Sequence, residues 1–180
     1  VTFETPDEIK LAKELSLLTA KPVLYVCNVD EGSAATGNKY VEEVREAIKN
    51  EGAEILVIAA KIESEIAELE DYEERQMFLQ EIGLDHSGVE RLIQRAYSLL
   101  NLQTYFTAGE PEVRAWTINK GDKAPAAAGV IHSDFEKGFI RAEVVAYHDL
   151  MECGSMTAAK EKGLVRSEGK EYVMEDGDVV

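Results

Sequence analysis

Asn28 and Glu31 are the residues whose placement most invites chemistry. They close the run Val23-Leu24-Tyr25-Val26-Cys27-Asn28-Val29-Asp30-Glu31, in which five apolar residues pass into a polar corner. A short apolar run without alternation predicts a strand buried on both faces, as in a parallel sheet. In open α/β sheets, ligands bind just outside the carboxyl ends of such strands. An amide and a carboxylate there could read the hydrogen-bonding edge of a bound molecule. Against this stands a plainer reading, that Asn28 only turns the chain; on this stretch alone the plainer reading is the stronger. A second corner, Ala59-Ala60-Lys61, follows the apolar run Ile55-Leu56-Val57-Ile58 as Asn28 follows the first. Two loops are thus expected to leave one sheet edge side by side.

The elements that must position these corners are legible. Thr5-Pro6-Asp7-Glu8 opens a helix, with Thr5 as N-cap, Pro6 in the first turn and Glu8 completing a capping box. Ile9, Ala12, Leu15 and Leu18 give that helix an apolar stripe. Asn38 caps a second helix with Val41, Val44, Ala47 and Ile48 on one face, closed by Gly52. Strand, helix, strand in this order implies a right-handed parallel crossover. The stretch from Glu63 to Glu81 is very acidic but keeps Ile66, Leu69, Met77, Phe78 and Ile82, which predicts helix with a solvated face. It lacks the alternating ligands and central Gly of a calcium loop. Ser87 caps a further helix that runs to Asn101.

After Leu102 the pattern changes. Residues 103–107 and 113–118 are β-rich and flank Gly109-Glu110-Pro111, a hairpin signature. A short helix over 124–131, a strand over 139–147, short helices over 149–162 and small strands near 164–166 and 172–174 complete a compact α+β module. The expected domains are residues 1–101 and 102–180.

Composition bounds the function. The 45% hydrophobic and 30% charged content describes a soluble globular protein. No apolar run approaches the roughly 18 residues of a membrane span, and no secretory leader is visible. Cys27 and Cys153 are far apart and lack metal-ligand spacing, which points to reduced thiols and a cytoplasmic setting. The net charge of −16 argues against a general nucleic-acid binder. Residues 1–101 carry 21 acids and 10 bases, a balance of −11; residues 102–180 carry 14 and 9, a balance of −5. The second part can still present a local basic face. His86, His132 and His148 are scattered and receive no role. The sequence begins and ends abruptly, as a piece of a longer protein would.

Several stretches together resemble the YchF, or Obg-like ATPase, family. They are Lys21 to Val26, Asn28-Val29-Asp30-Glu31, Ala60-Lys61-Ile62-Glu63-Ser64-Glu65, Tyr105 to Gly109, Val113 to Ile118, Gly129-Val130-Ile131-His132 and Asp134 to Ile140. The resemblance implies the C-terminal part of a Ras-like P-loop NTPase domain followed by a β-grasp, ubiquitin-like TGS domain. It implies a parent that hydrolyses ATP in preference to GTP with magnesium and associates with the ribosome or transfer RNA. Thr5 to Leu18 would be the chain returning from a helical insertion. The other class of function in view is a non-enzymatic TGS-containing module that attaches to a ribosome, RNA or protein partner.

In GTPases the base loop reads Asn-Lys-x-Asp. Here Asn28-Val29-Asp30-Glu31 puts Val29 for Lys and Glu31 for the final Asp. The extra methylene moves the carboxylate away from guanine's donors, and a buried unpaired polar group costs about 1–3 kcal/mol. The resemblance assigns Asn28, Val29 and Glu31 to purine contact and sets Asp30, one place early, aside. Ala59, Ala60 and Lys61 match the Ser-Ala-Lys supporting loop, with Ala59 lacking the hydroxyl and the Ala60 N–H and Lys61 stem available. In the TGS part, Arg114, Lys120, Lys123, Lys137 and Arg141 are the cations that could touch RNA. Trp116 is expected in the core, with a partner for its N–H.

No Gly-x-x-x-x-Gly-Lys-Ser/Thr occurs in the sequence, and its one Asp-x-x-Gly match, Asp85-His86-Ser87-Gly88, falls at the Ser87 helix cap rather than after a strand, so neither phosphate-handling part is expected. Phosphoryl transfer depends on those parts. The 180-residue chain on its own is therefore expected to hydrolyse no ATP; saturable phosphate release by the purified chain would contradict this.

Overall fold

The computed structural model describes residues 5–109 and 111–180. Glu110 of the expected hairpin turn lies outside the described residues, as does the side chain of Ile9 in the first apolar stripe. The chain divides into two compact units, Val1–Leu100 and Asn101–Val180.

In the first unit the order is α1 (Pro6–Glu14), β1 (Leu24–Asn28), α2 (Lys39–Ile48), β2 (Glu54–Ile58), α3 (Ala60–Ala67), α4 (Tyr72–Glu81) and α5 (Gly88–Leu99). Thr5 and Glu8 exchange the two bonds of a capping box. The Asn38 side chain accepts from the Tyr40 and Val41 amides and starts α2, which buries Val41 and Ile48. β1 and β2 pair in parallel, from Leu24 opposite Glu54 to Asn28 opposite Ile58. This register makes both strands finish level, so the two corners leave the sheet together.

Two expectations need correction here. β1 is not buried on both faces: Val26 is 44% exposed. The sheet has two strands among the described residues, so part of its apolar surface has no cover. The acidic stretch is two helices rather than one. Asp71 breaks it by accepting from the Glu73 and Glu74 amides at 2.7 and 3.0 Å. A carboxylate at an N-cap satisfies donors that the helix cannot, and competes well with continuation of the helix before it.

The second unit runs β3 (Leu102–Ala108), β4 (Val113–Asn119), α6 (Ala124–Ile131), α7 (Ser133–Gly138), β5 (Ala142–Ala146), α8 (Tyr147–Cys153), α9 (Met156–Glu161), β6 (Arg166–Glu168) and β7 (Asp178–Val179). The strand order is β4-β3-β7-β5-β6. β3 and β7 are parallel, while β3–β4, β5–β7 and β5–β6 are antiparallel. Alternation along β3 feeds two cores. Tyr105 packs with Ile118, Ala124, Ala127 and Met174. Phe106 packs against Val145, Ala159 and Val179. The strand expected over 172–174 is instead a single bridge from Val173 to Lys123. Met174 joins the core, and its carbonyl accepts from Gln103 at 2.7 Å.

The buried Tyr105 hydroxyl donates to the Ala127 carbonyl at 2.9 Å and ties β3 to α6. Burial pushes its pKa from 10.0 up to about 12. The folded state therefore holds this proton more tightly than the unfolded chain does. That contribution is complete below about pH 10 and is lost as pH rises through about 12. Denaturation of the wild-type second unit should show falling stability across this window, and Tyr105→Phe should flatten the Tyr105 share of that slope. The substitution should also cost about 1 kcal/mol at neutral pH through the lost bond.

Candidate functional site

The level ends of β1 and β2 bring the two corners into contact. Asn28 Oδ1 accepts the Ala60 N–H at 3.0 Å, across 32 residues of sequence. The Val29 N–H continues the ladder by donating to the Ile58 carbonyl at 2.8 Å. Asn28 and Lys61 thus lie on one rim of one sheet, with Glu31 opening the turn that follows β1.

The individual residues divide by what the packing leaves them. Asn28, Glu31, Ala60 and Lys61 are exposed. The Ala60 N–H is already committed to Asn28, so it is not open to a ligand as the sequence suggested. Ala59 is only 1% exposed and belongs to a core with Ala34, Ile66, Leu79 and Leu84; Val29 packs against that core. Both sit beneath the corners as support, and neither offers a side chain at the rim. The Asp30 carboxylate accepts from the Ser33 hydroxyl at 2.9 Å, which shapes the turn. Glu31 is the carboxylate left at that corner without such a bond to its own loop.

The residue that holds the second corner is one the sequence reading passed over. Glu63 was grouped with the solvated acids, yet its side chain is 8% exposed. Its Oε1 accepts from the Ala59 N–H at 2.9 Å and from Arg91 Nη2 at 3.2 Å. Its Oε2 accepts from the Gly88 N–H. Arg91 Nη1 donates onward to the Val57 carbonyl at 2.8 Å. One carboxylate therefore joins the starts of α3 and α5 to the end of β2. A Cβ on Gly88 would lie 2.6 Å from Glu63 Oε2, so this position admits only glycine without a shift. One signal was present: Ala59 has no side chain able to cap α3, so a carboxylate from the first turn had to reach back.

The five candidate cations are spread over the second unit. Arg114 on β4 stacks over the Trp116 ring at 4.1 Å, and Trp116 Nε1 donates to Thr107 Oγ1 at 3.0 Å. Lys123, before α6, is paired with Glu171. Lys120 lies in the turn after β4, Lys137 on α7 and Arg141 before β5, all exposed. Among the described residues no three His, Cys, Asp or Glu side chains form a metal-ligand cluster. No described helix is long and apolar enough to cross a membrane.

These features define a mixed α/β protein with two bonded loops at the carboxyl edge of a parallel strand pair. Residues 102–180 match the YchF-GTPase_C family, described as a protein of unknown function (DUF933). The chain is 61% identical over 178 residues to a Bacillus subtilis protein named ribosome-binding ATPase YchF, covering 98% of this chain and 48% of that protein. It is 42% identical over 176 residues to rat Obg-like ATPase 1, covering 96% of this chain and 44% of that protein. A solved structure of the Schizosaccharomyces pombe YchF GTPase superposes with a TM-score of 0.82 at 37% identity, over 99% of this chain and 47% of that one. The chain matches the C-terminal half of YchF/Obg-like ATPase proteins along nearly its whole length, and it spans about half the length of the curated relatives it matches.

Removing the carboxylate's charge tests the bridge. Glu63→Gln should destabilise the first unit by about 3 kcal/mol, because it strands a partly buried guanidinium and unpairs a backbone N–H. Gly88→Ala should lower stability in the same unfolding step by displacing the same carboxylate. Chemical denaturation monitored separately for each unit would show both losses in residues 1–100 and none in the second unit.

Proposed function

We propose that the first unit is the base-reading portion of a Ras-like P-loop NTPase domain. The second unit would be a TGS-type β-grasp domain, and both would belong to a longer protein that hydrolyses ATP in preference to GTP at the ribosome. The observation that carries the reading is the bond from Asn28 Oδ1 to the Ala60 N–H, which fixes both corners at one rim. With Oδ1 so engaged, Asn28 keeps its Nδ2 hydrogens for an acceptor. N7 of a purine is such an acceptor in both adenine and guanine. Asn28 would thus select a purine without choosing between them.

Discrimination would fall to Glu31. A carboxylate accepts only, and adenine presents an amino donor where guanine presents a carbonyl. Lys61, exposed on the adjoining corner, would lay its stem along the base. The donor set fits a purine base; the phosphates and a magnesium ion would need groups that these residues do not supply. When bound, magnesium would neutralise charge developing on the phosphates.

The strand order of the second unit, with its parallel central pair, supports the β-grasp reading. The names of the Bacillus subtilis and related proteins support a ribosomal partner. Arg114, Lys120, Lys137 and Arg141 would supply the RNA contact, possible transfer RNA included, with Lys123 occupied by Glu171.

The test uses this chain carried within a full-length relative. Glu31→Asp, which leaves the packed Val29 in place, should raise GTP affinity relative to ATP by about ten-fold, the worth of one restored pairing. An unchanged ratio, measured by calorimetry with both nucleotides, would take Glu31 out of the site.

A further inference from the structure

Adjoining the rim at Ala60, α3, α4 and α5 line a pocket of about 540 Å³. This lies within the roughly 300–1,000 Å³ of ordinary binding pockets. Buried Ile66 and Leu79 belong to its wall together with Ile58, and exposed Tyr72, Val89 and Leu92 add apolar area. An apolar pocket left open to water by three exposed large side chains marks a surface that gains by being covered. The Arg75 guanidinium also lines it, 5.9 Å from the Tyr72 ring.

The surroundings select the occupant. Residues 61–90 hold ten acids, Glu63, Glu65, Glu68, Glu70, Asp71, Glu73, Glu74, Glu81, Asp85 and Glu90, against two bases, Lys61 and Arg75. Glu63 is spent on the internal bridge, but Glu65, Glu68, Glu70, Asp71, Glu73 and Glu74 are exposed on or between α3 and α4. Such a field repels nucleic acid and acidic lipid surfaces and attracts cationic partners.

We propose that this groove is a docking site for a basic polypeptide segment carrying large apolar side chains. The apolar side chains would fill the pocket, and its Lys or Arg residues would face the α3–α4 carboxylates. Helix-lined grooves recognise amphipathic segments in this way, with apolar anchors setting the register. The pocket shares Ala60 with the rim, but the proposal uses none of the side chains assigned to the purine and stands whether or not that assignment holds.

Three labelled probe peptides decide it, measured by fluorescence anisotropy against the full chain. One carries leucines at helical spacing among lysines, the second is all lysine, and the third sets the same leucines among glutamates. The Leu/Lys peptide should bind about ten-fold more tightly than the all-lysine one, and the Leu/Glu peptide should not bind. Ala67→Trp, at an exposed position on the pocket wall, should weaken the Leu/Lys peptide about ten-fold by occupying the space. Glu73→Gln with Glu74→Gln, which leave the Asp71 cap of α4 in place, should weaken it independently. Equal binding of the Leu/Lys and all-lysine peptides would reduce the surface to simple charge attraction and overturn the proposal. So would binding of the Leu/Glu peptide, or a Leu/Lys affinity that neither variant changes.

Discussion

A single desolvated carboxylate organises the first unit. In a chain of net charge −16, burying one more negative group is an expensive choice unless its partners are fixed in advance. Glu63 meets that condition through the amide before α3, the first amide of α5 and the Arg91 guanidinium. Two helix starts point their unsatisfied N–H groups and positive dipole ends at the same atom pair. The consequences propagate outward. Residue 88 must lack a Cβ, α5 must begin where Ser87 and Glu90 close a capping box, and the chain after β2 must turn at Ala59. That last turn sets the Ala60 amide where Asn28 can take it.

The second unit solves its own closure with the same kind of knot. Asp178 is 1% exposed, and its carboxylate accepts from the Tyr172 hydroxyl at 2.9 Å, the Glu175 amide at 2.9 Å and Arg166 at 3.3 Å. Burial and the neighbouring Asp178 hold the Tyr172 hydroxyl well above the usual tyrosine range, so it acts as a donor throughout the working pH. β7 is two residues long. Three bonds to one side chain compensate for a ladder too short to fix its own register.

The elements that follow local rules could be read directly. Asn38, Ser87 and Thr5 cap where a polar side chain precedes an apolar period, because the signal and its partner lie within four residues. The parallel pair was visible as two apolar runs joined by a helix, and the hairpin through the turn residues between two β-rich runs. What escaped were contacts that sequence distance hides. Glu63 looks like its neighbours Glu65 and Glu68 until α5 arrives 25 residues later. Residues 172–174 have the composition of a strand, but Met174 is recruited into the core beside Tyr105 instead. At the rim, the two polar ends Asn28 and Lys61 were legible. That Ala59 and Val29 would be absorbed into packing, and the Ala60 amide spent on Asn28, required knowing how deep the core runs beneath the loops.

A two-stranded sheet with an uncovered face is a weak frame for two fixed corners, since isolated strand pairs are marginal in water. The rim does not depend on the sheet alone. Its two corners are bonded to each other through Asn28, and the second is anchored through Glu63 to α5, which also packs against both strands. Arg91 then ties that anchor back to the Val57 carbonyl inside β2. The path from Asn28 to Ala60, Ala59, Glu63, Arg91 and Val57 is a closed loop of hydrogen bonds and covalent chain. Distorting any one member strains the others. The geometry of the two corners is therefore set by helix starts and one partly buried ion pair, and further strands beside β1 would pair with its edge without being needed to define the angle between the loops.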